Sequence, residues 1–514
     1  MKRLFKSILC AVGILGIFAG LLCACRLPSQ PQANDSSKSE DITTLTWYMS
    51  INPVAPDTDQ VIDALNEYTR KTIGVEIDYK IISNPIYRET MPNLIQAGSY
   101  FDICFTSNWN TDYVQFASKG AFMDLSQLLP TYASETYALI PQSLWNAVKV
   151  DGAIYGVPSY KEMGWQGGIL YNSDMAREYG VDMSTVHTLE DFTAVLQQVS
   201  EQSQAAGEQV IGVSGLTNAW PMAAPYESLT GNPKLPAAAA VPEFCNFSDM
   251  ADQAVFNPYE SQEYTQYCQI VRDWNLSGYL GADPVTYDSD TANRDLDFQQ
   301  GKLFSYFIQY APGTAESLSA SIGHEVGFVP LMSPLFETRN AMAGLLAISS
   351  SCEHPDKALA LINLLNTDEY VGTLLRHGME GVHYTAVGDH QVDKTMGGTV
   401  TDPTYDYSYG WQFGTPFNQK WDISYPDNIQ QLFLAYNDSA ITSPNSGFSF
   451  QTTSVASQMP ALSNVVAQYA PYLETGSVDP SRYIPEFLDA LKANGLDDLL
   501  QEVSTQLTAF LASS

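Results

Sequence analysis

The sequence predicts an α/β protein of two lobes, each a mixed and mostly parallel sheet flanked by helices. Three observations carry that prediction. Strand and helix periodicities alternate through residues 45–105. More than four hundred residues follow a polar N-terminal stretch that ends near residue 44, enough for two cores of ordinary domain size. Hydrophobic residues make up 45% of the chain, which is a globular and not a disordered composition.

The elements follow in order. Residues 45–50 alternate and are rich in β-formers, as a strand requires. Residues 57–72 place Val61, Ile62, Leu65 and Tyr68 at helical spacing, and Gly74 stops that helix. Residues 75–82 alternate again. Residues 91–97 read as a short helix ended by Gly98, and 101–105 as a third strand. Strand-helix-strand-helix-strand implies parallel pairing through right-handed crossovers. Ligands of such sheets sit beyond the carboxyl ends of the strands, here residues 50–52 and 106–110.

The first residues form a leader. Lys2, Arg3 and Lys6 precede an apolar run from Ile8 to Leu22, and Leu22-Cys23-Ala24-Cys25 follows. That is the layout of a secretory signal. Its ending resembles a bacterial lipobox, which implies a signal peptide over 1–24 and lipidation of Cys25. Residues 25–44 are polar and read as a disordered tether. No later stretch approaches the ~18 apolar residues of a membrane span. The expected location is the outer face of the cell membrane, with the lipid as the sole membrane attachment.

Lys and Arg number 24 against 57 Asp and Glu, a formal charge of −33. Such a chain repels nucleic acid and anionic lipid, so neither is an expected partner. Charged residues are nevertheless only 16% of the sequence, and thirty tyrosines and many neutral amides supply polarity. Of seven cysteines, Cys10 and Cys23 leave with the signal and Cys25 carries lipid. Cys104, Cys245, Cys268 and Cys352 show no Cys-x-x-Cys spacing, so neither a zinc knuckle nor a redox motif is expected. A Cys245–Cys268 disulfide stays open. The sequence holds no nucleophile elbow, zinc-protease helix or phosphate loop. Asp288-Ser289-Asp290 hints at a calcium loop but lacks its third ligand and its glycine. The reading is therefore a binding protein without cofactor or metal. Its rivals are a glycan-hydrolysing enzyme or an adhesin, although the repeats or Ser/Thr stalk of an adhesin are missing.

Several motifs resemble those of extracellular solute-binding proteins of the maltose-binding type (family 1), the capturing components of ABC sugar importers. They are Gly98 to Ile103 around Asp102, Gly120 to Leu125, the turn 151–158 with strand 168–172, Phe298-Gln299-Gln300-Gly301-Lys302, and 354–363. Residues 160–165, 379–384, 443–450 and 472–480 look like a Gram-positive lipoprotein branch with an added C-terminal segment. The resemblance implies a type II periplasmic-binding-protein fold whose lobes close on a carbohydrate, a monomer serving permease subunits in the membrane. A peptide ligand is the alternative. The expected division is lobe one over 45–165 and 298–339, and lobe two over 166–297 and 340–514. Crossings are expected near 165–171, 295–301 and 339–347.

Sugars offer apolar ring faces and a rim of hydroxyls, which aromatic rings, amides and charged groups match. The candidates are Asn108 and Trp109 in a polar loop after the third strand, and Tyr160, Lys161, Glu162, Trp165 and Gln166 beside the hinge. Trp220 lies at a strand end of lobe two, Tyr310 and Arg339 near the crossings, and His383, Tyr384 and Trp411 on a far wall.

Overall fold

The computed structural model describes residues 42–52, 54–216, 246–247, 254–395, 404–407, 410–443 and 445–513. The leader, Cys25, Trp220 and Cys245 lie outside the described residues.

The ordered chain opens with β1 (Thr43–Ser50), α1 (Thr58–Thr72), β2 (Val75–Ile82), α2 (Asn84–Gln96) and β3 (Ile103–Thr106), and reaches β4 (Gly156–Pro158). It then builds β5 (Gly167–Asn172), α3 (Leu189–Ala206), β6 (Ile211–Ser214), α4 (Gln262–Leu276), α5 (Thr291–Gln299), β7 (Leu303–Gln309), α6 (Thr314–Ile322) and β8 (Val326–Pro330). It continues through β9 (Leu345–Ile348), α7 (Pro355–Thr367), α8 (Glu369–His377) and α9 (Ile429–Ser439). Three helices close the chain: α10 (Gln458–Glu474), α11 (Pro480–Ala493) and α12 (Leu496–Ser513).

Two sheets result. The first has the order β2-β1-β3-β9-β4, with β1 parallel to β2 and β3, and β9 antiparallel to β3 and β4. The second has the order β8-β5-β7-β6, with β7 parallel to β6 and antiparallel to β5. Each has its own core. Trp47, Phe105, Trp145 and Leu359 centre the first; Phe192, Trp274, Phe307 and Phe487 centre the second. The amphipathic faces of α10, α11 and α12 pack into the second core through Leu462, Leu473, Leu491, Leu499 and Val503.

This pairing corrects the expected division. Residues 303–309 belong to the second lobe, where β7 is hydrogen-bonded on both sides, and a strand paired on both edges has no edge left for another sheet. Residues 345–348 belong to the first lobe, between β3 and β4. Of the 340–514 segment, Ala341 to Leu375 with Tyr405 and Phe413 supply buried residues to the first core, and Phe448 onward supplies the second. Residues 295–301 are no crossing: α5 runs through Gly301 (φ 68°) into β7 of the same lobe. A further difference is α2, which starts seven residues before the expected 91. Pro85 sits in its first turn, where a missing N–H costs nothing.

The chain passes between the lobes at 159–166, 331–344 and 440–447. The passes form a narrow ribbon. Trp165 and Leu335 exchange two backbone hydrogen bonds of 2.8 Å, and Leu335–Phe336 lies parallel to Ile441–Thr442. A Cβ on Gly164 would come within 2.9 Å of Pro334, so glycine permits this close approach. The described part of 378–440 extends the first lobe and reaches the second. Trp421 stacks on Phe433, Ser424 meets Ser317 of α6 at 3.3 Å, and Tyr425 and Ile429 lie against Gly313. A half-buried cluster braces this extension: Lys394 bonds Asp406 at 2.7 Å and Asp422 at 3.4 Å. Burial first, and the Lys394 charge second, push His377 down to about 4, so its ring is neutral when its Nε2 meets the Lys420 carbonyl at 2.9 Å.

Candidate functional site

The carboxyl ends of β1 and β3 open beside the ribbon, as a parallel arrangement requires. The loop after β3 is a tight knot. Ser107 Oγ accepts from the Asn110 N–H at 2.8 Å and from the Trp109 N–H at 3.3 Å, and the Ser107 N–H donates to the Asn110 carbonyl at 3.0 Å. Thr111 closes it at φ 53°, a left-handed conformation that a β-branched residue adopts only when its surroundings enforce it. Asn110 Nδ2 donates to Ser50 Oγ (2.9 Å), which donates to Asn84 Oδ1 (2.5 Å) at the start of α2. One relay thus fixes the ends of β1 and β3 and the beginning of α2.

Trp109 projects from the knot and is 37% exposed. Its Nε1–H donates to the Ala343 carbonyl at 2.8 Å, and Asn108 Nδ2 donates to the Arg339 carbonyl at 3.1 Å. The loop is therefore tied to the second crossing. Trp411 meets Trp109 edge-on at 6.4 Å, with Phe105 about 6 Å from both. A Cβ on Gly344 would lie 2.4 Å from the Trp411 ring, so a glycine is needed for Trp411 to seat. Gln412 Nε2 donates to the Ser50 carbonyl at 2.9 Å. Two cations flank the pair: the Arg88 guanidinium lies 5.5 Å from the Trp109 ring centre and Lys161 Nζ 5.2 Å from that of Trp411. Lys161 is ion-paired with Glu162.

Arg339 stands at the ribbon, its guanidinium 5.9 Å from the Trp165 ring centre. It bonds Glu337 at 2.6 Å. Glu337 is fully buried, and burial pushes its carboxyl up to about 7 against the pull of Arg339. On the second lobe, Tyr310 stacks on Phe328 at 3.9 Å and 12°. Its N–H donates to the Gln166 carbonyl, and Gln166 Nε2 donates to the Met332 carbonyl, both at 2.9 Å. Burial foremost raises the Tyr310 hydroxyl to about 12, so it stays protonated and able to donate.

The structure thus gathers Asn108, Trp109, Lys161, Glu162, Arg339 and Trp411 around Ala343 and Gly344, and lays Trp165, Gln166 and Tyr310 along the ribbon and the second lobe. It places the other candidates elsewhere. Tyr160 is buried edge-on against Phe417 at 5.1 Å, as first-lobe core. His383 is buried: its Nδ1 accepts from the Met379 N–H at 2.9 Å and its Nε2 faces Asp57 at 3.3 Å. Tyr384 is buried, 6.3 Å from the ring centre of His377. Both brace the extension. Asp288 accepts from the Leu216 N–H at 2.7 Å, and Asp290 caps α5, so both acids have structural work. Arg88, Asn84, Gln412, Phe328 and Glu337 were missed by sequence reasoning. Arg88 and Asn84 lie in the part of α2 that precedes the expected start at residue 91, and the others carry no local signal.

Residues 63–377 match the family described as bacterial extracellular solute-binding protein, and residues 444–512 match a domain of unknown function. The first match spans well over half of the chain. This chain belongs to the bacterial extracellular solute-binding proteins. A carbohydrate ABC transporter substrate-binding protein of Streptococcus pneumoniae serotype 4 (strain ATCC BAA-334 / TIGR4) is 24% identical over 99% of both chains. Among solved structures, the N-glycan transport solute-binding protein NgtS from S. pneumoniae aligns with a TM-score of 0.77 at 22% identity, covering 91% of this chain and 99% of that one. Its complex with Man1GlcNAc aligns at 0.70 and 22% identity, over 91% and 100%. An extracellular solute-binding protein from Bifidobacterium longum subsp. infantis aligns at 0.64 and 15% identity, over 91% and 99%. These likenesses fix the fold as that of the two-lobed solute-binding proteins.

Proposed function

We propose that this solute-binding protein captures an oligosaccharide between its lobes and delivers it to the permease of an ABC importer, held to the outer membrane face through a lipid on Cys25. The observation that carries the reading is the Trp109–Trp411 pair at the carboxyl ends of β1 and β3, next to the three-chain ribbon. Aromatic rings suit the apolar faces of sugars, and the amides and charged groups around them suit hydroxyls. The relatives named for carbohydrate or N-glycan transport support the same class of ligand.

The ribbon supplies a hinge. Each lobe keeps its core while backbone angles near Gly164, Leu335 and Ile441 change, so ligand contacts made only in the closed form bias the equilibrium toward it. The permease then meets a closed monomer, and the ligand leaves chemically unchanged. In this account Trp109, Asn108 and Trp411 hold the glycan against the first lobe, and Tyr310 meets it from the second.

A thermal-denaturation screen of the full chain against oligosaccharides and peptides tests this. A glycan at about 100 Kd adds about 2.7 kcal/mol of stability, visible as a raised Tm. A rise with peptides alone assigns a peptide ligand and overturns the reading. Released monosaccharide or shortened glycan in the same samples would make the protein an enzyme.

A further inference from the structure

The aromatic pair is flanked asymmetrically. At one end, Lys161 over Trp411 is matched by Glu162. Beside the ribbon, Arg339 over Trp165 is matched by Glu337. At the other end, Arg88 over Trp109 makes no ion pair or hydrogen bond among the described residues. The helix explains why. Residues three and four away on α2 are Asn84, Pro85, Met91 and Pro92, none charged, while Glu89 is adjacent in sequence and turned to another side. Arg88 is exposed. In a chain of formal charge −33, an unmatched arginine at the mouth of the cleft is conspicuous.

The position of Arg88 matters as well. The Arg88 guanidinium lies 5.5 Å from the Trp109 ring centre, within reach of the attraction between a cation and an indole, and a guanidinium carries its N–H donors as a planar fork. That fork matches the two oxygens of a carboxylate, and charge-assisted bidentate pairs are the stronger and more directional hydrogen bonds.

Resting on the carbohydrate reading above, we infer that Arg88, beside Trp109, selects a glycan bearing a carboxylate-carrying sugar at that end of the cleft. The acidic residue is a uronic acid or a sialic acid, and the shared chemistry is the carboxylate. Lys161 and Arg339 each already bond an acid, Glu162 and Glu337, so Arg88 is the cation of the site left for an acid from the ligand.

Two matched pairs of probes test this by calorimetry with the full chain. One pair is a biantennary N-glycan with and without its terminal sialic acids. The other is a mannuronate tetramer against a mannose tetramer. The acidic member of one pair should bind at least about tenfold more tightly than its neutral partner, and which pair does so tells sialate from uronate. That preference should shrink as salt rises from 20 to 300 mM, as a partly exposed charge pair requires. R88Q should abolish it, R88K should restore part of it, and both variants should melt as the native chain does. Neutral members bound as tightly as acidic ones overturn the selection by Arg88 while leaving glycan capture intact. An acidic preference that survives R88Q overturns the assignment to Arg88. Failure of all four glycans to bind overturns this inference together with the carbohydrate reading.

Discussion

Among the described residues, the two lobes offer a ligand very different walls. The first is cross-braced: the Ser107–Thr111 knot, the Asn110–Ser50–Asn84 relay, Gln412 on Ser50 and Trp109 on Ala343 fix its groups before any ligand arrives. The described wall of the second is sparser, with Tyr310 laid on Phe328 and Gln166 spent on backbone groups. A preorganised wall loses little entropy on binding, whereas a sparse one contributes chiefly when the lobes close. The difference teaches that the first lobe should set affinity and the second should set closure.

The largest effect should come from breaking the first wall. Removing Trp109 and Trp411 together should cost on the order of 2–4 kcal/mol of glycan affinity, read by calorimetry. Comparable losses from Y310A would erase the contrast between lobes. Next comes G344A. Its methyl would collide with Trp411, costing about 1–3 kcal/mol of stability and weakening binding through the displaced ring. Retained affinity in G344A would mean that Trp411 is not a ligand platform.

The ribbon between the lobes gives a pH test. Glu337 has a folded pKa raised to about 7, above its unfolded value. The folded state holds that proton more tightly, so the stabilisation is complete below about pH 4.5 and is lost as pH rises toward and through 7. E337Q should therefore stay flatter than the native chain between pH 5 and 8 in urea melts, by on the order of 1–3 kcal/mol. Parallel profiles would show that Glu337 does not titrate there. The smallest effect should be Y310A, at about 1 kcal/mol of affinity, the worth of one aromatic contact.

How much of this was legible in the sequence follows from what is local. The alternation of 45–50 and 75–82 and the spacing of Val61, Ile62 and Leu65 are local, and β1, β2 and α1 stand where they were expected. Trp109 in its run of Ser, Asn, Thr and Asp also declares itself, because a tryptophan among such residues has no apolar neighbours in sequence to pack with. Strand partnership is not local. Nothing in 303–309 or 345–348 says which sheet accepts them, since both are mostly apolar runs that suit any central position. That is why the lobes exchanged segments. His383 and Tyr384 misled for a related reason: polar tips suit a binding wall and a buried hydrogen-bonded brace equally well. Arg88 was missed because the expected helix began only at residue 91, whereas α2 starts at Asn84 and runs through both Pro85 and Pro92.

The most direct test of the account is a crystal structure of the chain with the oligosaccharide that raises its Tm most. The account predicts the glycan between the lobes, sugar rings against Trp109 and Trp411, Tyr310 brought up from the second lobe, and a rotation confined to the ribbon around Gly164, Leu335 and Ile441. A glycan bound anywhere else, or one that leaves Trp109 and Trp411 untouched, would contradict it.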